Sequence, residues 1–200
     1  MQLGLTGNIA TGKSTVFKHL LSLEGVVGFD ADAVVHQLYR TDEVKQELMS
    51  AFGEQIVRAE GEVDRAVLRQ LFLSQDGVRE QLEAIFHPKV HAEYEQLTSQ
   101  KSEGQVLVAD IPLLFEKQVP YEFDKTIVVA CGATVQLERL QSRSGLDRET
   151  AQAMINKQVA LSSKIDKADH VIWNNGDLAM LQRQIDSLVY HIFNECREYK

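Results

Sequence analysis

Residues Gly7-Asn8-Ile9-Ala10-Thr11-Gly12-Lys13-Ser14 fit the pattern G-x-x-x-x-G-K-[ST] at every fixed position. Each fixed type has a physical reason. Gly7 and Gly12 tolerate backbone angles that a Cβ opposes, so successive N–H groups can turn inward onto phosphate oxygens. A helix predicted to open at Lys13 adds the partial positive charge of its N-terminus. The Lys13 ammonium can reach β- and γ-phosphates, and the Ser14 hydroxyl can ligate Mg²⁺. The alternative is a glycine-rich turn with a solvated lysine. Its context weakens it, because an apolar stretch precedes the loop and a helical pattern follows. The loop therefore predicts a bound nucleoside triphosphate. ATP is the expected donor, Asn8, Ala10, Thr11, Gly12, Lys13, Ser14 and Thr15 the donor-binding residues, and Ser14 the metal ligand.

Other segments must supply carboxylates and further cations. Asp30 and Asp32 close the apolar run Gly25–Phe29, a position where parallel sheets bind ligands. Either could accept a proton from an acceptor hydroxyl or help hold Mg²⁺, and either could cap the next helix. Asp110 ends Val106–Ala109, as a Walker-B carboxylate does, with a cap or turn as the plainer reading. Arg139 and Arg143 share one helix face. Arg143 lies nearer the turn at Gly145 and is the better placed for a lid arginine on ATP phosphates. A solvated face is the alternative.

The loop alone does not separate a kinase from a switch or a motor. A GTPase switch needs D-x-x-G, and no glycine has an aspartate three residues before it. The nearest approach to a guanine-reading [NT]-K-x-D is Ser163-Lys164-Ile165-Asp166, which lacks the first residue. Motors need more chain. A compact phosphotransferase remains, and it requires an oriented acceptor, cations around the migrating phosphoryl and lobes that exclude water. A binding or regulatory module without transfer is the alternative from another class.

The elements that must position these groups are read from hydrophobic pattern. A short strand ends at Thr6-Gly7, a helix runs from Lys13 to about Leu23, and Gly25–Phe29 is a second strand. Helices follow at Ala33–Tyr39, Glu43–Phe52, Asp64–Leu73 and Val78–Thr98, with a short strand near Ile56 and a kink or break at Pro88. His87, before that proline, is biased away from helix, so its ring is expected to project at the break. Strands return at Gln105–Ala109 and Thr126–Ala130. Helices from Ala133 and over Asp147–Val159, a strand Val171–Trp173 and a closing helix Leu178–Phe193 complete the chain. This order predicts an α/β fold, three-layered around a parallel sheet. The core is expected at about 1–32, 105–140 and 167–200, with a helical lobe at about 33–104 and a lid at about 141–166.

Bulk composition agrees. Two hundred residues, 44% hydrophobic and 25% charged, suit one globular domain with a sizeable core. The net charge of −8 disfavours nucleic acid as a partner. No apolar run is long enough to cross a membrane, and the N-terminus lacks the basic and apolar regions of a signal peptide. Cys131 and Cys196 are read as reduced thiols in a cytoplasmic protein. Oligomeric state is open.

Several of these segments together resemble the dephospho-CoA kinase family. They are Leu5-Thr6-Gly7 into Gly12-Lys13-Ser14-Thr15, Asp30-Ala-Asp32, Asp64-Arg65-Ala-Val-Leu68 and His87-Pro88. Pro112-Leu-Leu-Phe-Glu116, Gln136 to Arg143, Gln158, Ala168-Asp169 and Asn175-Gly176 follow in the family's order. The resemblance implies Mg²⁺-dependent transfer of the ATP γ-phosphate to the ribose 3′-hydroxyl of dephospho-CoA, with a helical CoA-binding lobe and a lid. It implies Asp32 as catalytic base, with Lys13 and Arg143 as cations on the migrating phosphoryl. Arg65, Leu68, His87, Pro88, Leu114 and Phe115 would line the acceptor site, with Asp110 beside it, and Asn175 and Gly176 would lie near adenine. Arg65 could clamp an acceptor phosphate, and Leu114 and Phe115, otherwise core residues, could hold an adenine or pantetheine portion. Met154 stands in place of a second lid arginine, and Ile165 and Trp173 replace commonly polar family positions.

Overall fold

Strand β1 (Gln2–Gly7) is buried from Leu3 to Gly7, and β3 (Val106–Asp110) along its whole length. Such runs, apolar without alternation, belong to strands covered on both faces. In the computed structural model, which describes residues 1–58, 61–116 and 121–198 and side chains as far as Ile192, these strands build a five-stranded sheet. Its order is β2 (Val26–Asp30), β3, β1, β4 (Lys125–Ala130), β5 (His170–Trp173). β1 pairs in parallel with β3 and β4, and β4 with β5. The order puts β1 at the centre. The loop that leaves its carboxyl end is therefore flanked by the ends of β3 and β4.

Helix α1 (Lys13–Leu20) and the last helix, α9 (Leu178–Glu198), pack together on the sheet. Val16, Leu20, Leu181, Ile185 and Ile192 meet Leu5, Val108, Ile127, Val129 and Ile172 in one apolar layer. The sheet and its helices form one compact unit, Met1–Phe29 with Lys101–Lys200. Asp30–Gln100 form a second, with α2 (Ala31–Leu38), α3 (Asp42–Phe52), α4 (Arg65–Ser74) and α5 (Val78–Gln100). That unit has its own core, in which Val44, Leu48, Phe52, Ile56, Leu68 and Phe86 are buried. Among the described residues, no helix is long and apolar enough to cross a membrane.

Three local expectations differ from the structure. A 3-10 turn, Glu54–Ile56, replaces the short strand, and an isolated bridge joins Val57 and Val63 just after it. Helix α5 runs unbroken through Pro88, with His87 inside it. Phe86, Val90 and Tyr94 are buried and hold the helix from both sides, while Pro88 and Ala84, whose carbonyl loses its partner, are exposed to water. The helix expected over Asp147–Val159 ends earlier, as α7 (Arg148–Asn156). Gln158 and Val159 leave it because their polar groups are bonded elsewhere, and a five-residue helix, α8 (Leu161–Ile165), follows.

One carboxylate ties the far side of the sheet together. Asp169 accepts hydrogen bonds from the Thr126 N–H at 2.7 Å and its hydroxyl at 2.8 Å. Burial pushes its carboxyl up, but those two bonds and the charges of Lys125 and His170 outweigh it and leave the group below its ordinary value of 3.8. A depressed folded value means stability that is complete above the ordinary carboxylate range and lost as pH falls through the folded value. Asp169→Asn is expected to cost about 1 kcal/mol at pH 7, the magnitude being reduced by solvent exposure. In urea unfolding the gap to wild type should close as pH falls through the acid range. A gap constant with pH would contradict the assignment.

Candidate active site

The phosphate loop follows β1 and opens α1. Gly12 is the left-handed residue at the helix entrance, with φ 95° and ψ 19°. Ala10 also adopts a left-handed backbone, φ 62°, at a residue type that resists it. Such a loop gives up regular backbone pairing, and side chains from elsewhere hold it. Within it, Thr11 is fully buried and its N–H and hydroxyl both reach the Asn8 carbonyl, at 3.2 and 2.9 Å. Asn174, just past β5, donates its amide to the Thr11 carbonyl at 2.9 Å. Gln158 accepts from the Ile9 N–H at 2.7 Å, and Gln136 donates to the Ile9 carbonyl at 2.8 Å. Asn8 sends its amide outward to the Val159 carbonyl at 3.0 Å.

The charged groups sit along the same carboxyl edge of the sheet. Lys13 forms an ion pair with Asp110, at the end of β3, and the Asp110 side chain is nearly buried. Ser14 and Thr15 are exposed in the first turn of α1. From α6 (Ala133–Ser144), Arg139 turns toward the loop. Its Nη1 stands 4.0 Å from where a Cβ on Gly12 would lie, shut from solvent and with no hydrogen-bond partner among the described residues. A buried guanidinium N–H without a partner is costly unless an anion completes it. Cys131 lies beside the same guanidinium. Burial pushes its thiol up, Arg139 pulls partly against that, and the cysteine is free. The side chain of Cys196 lies outside the described residues. Arg143 is exposed near the end of α6. Asn175 accepts from the Gly132 N–H at 2.7 Å and so fixes the turn between β4 and α6, and Gly176 follows it.

In the helical unit the two neighbouring aspartates take different positions. Asp30 ends β2 and caps α2, accepting from the Ala33 N–H at 2.9 Å. Asp32 is exposed in the first turn of α2 and makes no side-chain hydrogen bond among the described residues. Asp64 caps α4, so Arg65 is that helix's first residue. The Arg65 guanidinium lies 5.2 Å from the centre of the Tyr39 ring, and its Nη1 is 2.9 Å from His36 Nδ1. Arg40 approaches the other nitrogen of the same imidazole at 3.3 Å. Arg65, Leu68, Tyr39, Arg69, Phe72 and Leu82 line a cavity of about 490 Å³. His87 and Pro88 are exposed on α5 and do not line it. In the sheet unit, Leu114 is buried and packs toward Gly4 of β1, while Phe115 is half-buried.

A sequence model of the dephospho-CoA kinase family matches residues 1–180. The chain belongs to the dephospho-CoA kinase family. A dephospho-CoA kinase from Fusobacterium nucleatum is 37% identical over 93% of this chain and 95% of its own. One from Arabidopsis thaliana is 38% identical, over 95% of this chain and 83% of its own. Among solved structures, a Thermus thermophilus protein superposes with a TM-score of 0.80 at 32% identity, covering 96% of this chain and 97% of that one. The dephospho-CoA kinase from Campylobacter jejuni does so with a TM-score of 0.66 at 27% identity, covering 96% of each chain. A shikimate kinase from Bacteroides thetaiotaomicron, 15% identical with a TM-score of 0.55 and covering 96% and 98%, shares the fold alone. The protein is thus an ATP-dependent kinase with the expected parallel-sheet P-loop fold.

Several residues that brace the phosphate loop, or that hold Arg65 in the helical unit, carried no site role in sequence reasoning. Asn174 was legible only as part of a turn, Gln136 and Gln158 only as positions of family resemblance, and His36 and Tyr39 as ordinary helix residues. Of the family departures, Trp173 and Met154 are exposed and Ile165 is half-buried.

The loop's backbone yields two opposed expectations. A Cβ on Gly12 would run into the Asn174 amide, at a φ that side chains rarely adopt. Gly12→Ala should lower ATP affinity at least about tenfold and destabilise by roughly 1–3 kcal/mol, the cost of strain with a displaced buried amide. Ala10→Gly should stabilise by about 0.5–1 kcal/mol, the left-handed penalty less the added freedom of the unfolded glycine. Calorimetric titration with a non-hydrolysable ATP analogue and urea unfolding measure both. A silent Gly12→Ala, or a destabilising Ala10→Gly, would contradict this loop geometry.

Proposed function

We propose that the chain transfers the γ-phosphoryl group of ATP to the ribose 3′-hydroxyl of dephospho-CoA, the last step of coenzyme A biosynthesis. The observation that carries this reading is the match to the dephospho-CoA kinase family over residues 1–180, which contain the braced phosphate loop. In the reaction the acceptor oxygen bonds to the γ-phosphorus while the bond to the β–γ bridging oxygen breaks, leaving ADP. The hydroxyl proton passes to the Asp32 carboxylate. Asp32 suits this role because Asp30 already caps α2, while Asp32 keeps its oxygens exposed.

Lys13 and the loop N–H groups hold the donor, and Lys13 exchanges Asp110 for phosphate oxygens as the donor binds. Arg139, with a buried N–H left over, and Arg143 share the charge of the migrating phosphoryl. The Ser14 hydroxyl and Asp110 carboxylate are hard oxygen donors of the kind Mg²⁺ takes alongside substrate phosphates. Mg²⁺ held by them would supply positive charge against the donor phosphates. Arg65 binds an anionic part of the acceptor, and the apolar wall of Leu68, Phe72 and Leu82 takes its pantetheine or adenine portion. His87, Pro88, Leu114 and Phe115 complete acceptor binding, and Asn175 and Gly176 contact the donor base. Residues 141–166 act as a lid over the donor, 33–104 as the acceptor lobe and the remainder as core. A cytoplasmic location accords with the free thiol of Cys131.

ADP release, coupled to a spectrophotometric readout, should respond to dephospho-CoA and not to AMP, shikimate or water alone. Equal rates with all of them would overturn the acceptor assignment. Asp32→Asn should retain ATP binding while turnover falls about 10²–10⁴-fold, the usual range for a lost general base. Near-normal turnover would remove Asp32 from the chemistry.

A further inference from the structure

Lys164 has no part in the reaction as described, yet it is 0% exposed, an expensive place for an ammonium group. Its Nζ lies 2.5 Å from Glu116 Oε1 and 3.5 Å from the Pro112 carbonyl. Both Glu116 carboxylate oxygens are closed to solvent. The two partners come from distant parts of the sheet unit. Lys164 belongs to α8, within the expected lid, and Glu116 closes the segment that follows Asp110 at the end of β3. The Pro112 carbonyl also accepts from the Thr6 hydroxyl at 3.2 Å, one residue before the phosphate loop.

A buried ion pair is a poor way to gain stability, because hydrophobic side chains of the same shape avoid the desolvation penalty. What the pair adds is direction. It fixes where residues 112–116 sit relative to α8. Six residues earlier, Gln158 holds the Ile9 N–H, and beside it the Val159 carbonyl holds the Asn8 amide. Residues 158–164 therefore grip the donor loop at one end and the segment 112–116 at the other.

We propose that residues 158–164 form a strap with separable ends, and that Lys164 is a positioning residue for the acceptor. Through Glu116 it sets the Pro112–Glu116 segment, while Gln158 and Val159 set the phosphate loop. The proposal rests on the functional reading above for the acceptor role of Leu114 and Phe115. Its consequence is a crossed kinetic pattern. Disturbing Lys164–Glu116 impairs use of the acceptor and spares ATP, and disturbing Gln158 does the reverse.

The test uses the full chain with ATP and dephospho-CoA, each varied at saturating levels of the other. The variants are Glu116→Gln, the neutral pair Lys164→Met with Glu116→Leu, and Gln158→Leu. The neutral pair removes both charges at similar volume, so its melting temperature should stay close to wild type. It and Glu116→Gln are expected to lower kcat/KM for dephospho-CoA at least tenfold, with KM for ATP within about twofold of wild type. Gln158→Leu should raise KM for ATP at least fivefold, with a smaller effect on the acceptor. Should the neutral pair fail to fold, Glu116→Gln decides. The strap is overturned if a folded Lys164–Glu116 variant keeps acceptor kcat/KM within threefold of wild type, or if its losses fall equally on both substrates. No transfer to dephospho-CoA by the wild-type chain would instead overturn the functional reading itself.

Discussion

A loop that turns its N–H groups inward toward phosphate gives up the pairing that a helix or strand would have provided. Something else must hold it. Here that burden falls on amide side chains, since an amide can donate to one backbone group and accept from another without adding charge near the phosphate. Asn174 comes from beyond β5, Gln136 from α6 and Gln158 from beyond α7, and each bonds a backbone group of the loop. Asn8 supplies one of its own outward. The central place of β1 in the sheet makes this convergence possible, because the carboxyl ends of β3, β4 and β5 all open on the same edge. A stiff cradle keeps phosphate-binding dipoles aimed before the donor arrives, which is the preorganisation that phosphoryl transfer depends on.

Charge is placed with the same economy. The chain is acidic overall, with a net charge of −8, but Lys13 and Arg139 lie beside the phosphate loop. Lys13 is paired with Asp110, and a buried N–H group of Arg139 has no hydrogen-bond partner among the described residues. In the helical unit, Arg65 is held between the Tyr39 ring and His36. That contact orders a long side chain, and among the described residues no carboxylate pairs with it. The aspartates show a related division, with Asp30 engaged in capping and Asp32 left exposed in the first turn of the same helix.

Much of this was legible in the sequence, for identifiable reasons. The strands of the sheet are unbroken apolar runs, and Gly7–Ser14 is a spacing that few other structures require. Where Thr41, Asp64 and Asp147 cap a helix, its start lies within about one residue of the expected one. Failures arose where tertiary contacts override local preference. Pro88 reads as a breaker, but burial of Phe86, Val90 and Tyr94 carries α5 through it. The helix expected to reach Val159 stops at Asn156 because Gln158 and Val159 bond the phosphate loop, a partner 149 residues away from Gln158 in sequence. Lys164 entered the sequence reading only within the failed guanine-reading pattern Ser163–Asp166, and nothing local announces that it is buried against Glu116. Long-range polar contacts leave no periodic trace, so the bracing of the site was the part that sequence reasoning did not reach.

The proposed chemistry turns on one carboxylate, Asp32, meeting one hydroxyl of one acceptor. A crystal structure of the chain with ADP and dephospho-CoA bound tests this directly. The ribose 3′-hydroxyl is expected within about 2.6–3.2 Å of an Asp32 carboxylate oxygen, on the side open to the donor phosphates. A 3′-hydroxyl turned away from Asp32, or held instead by Asp110 alone, would contradict it.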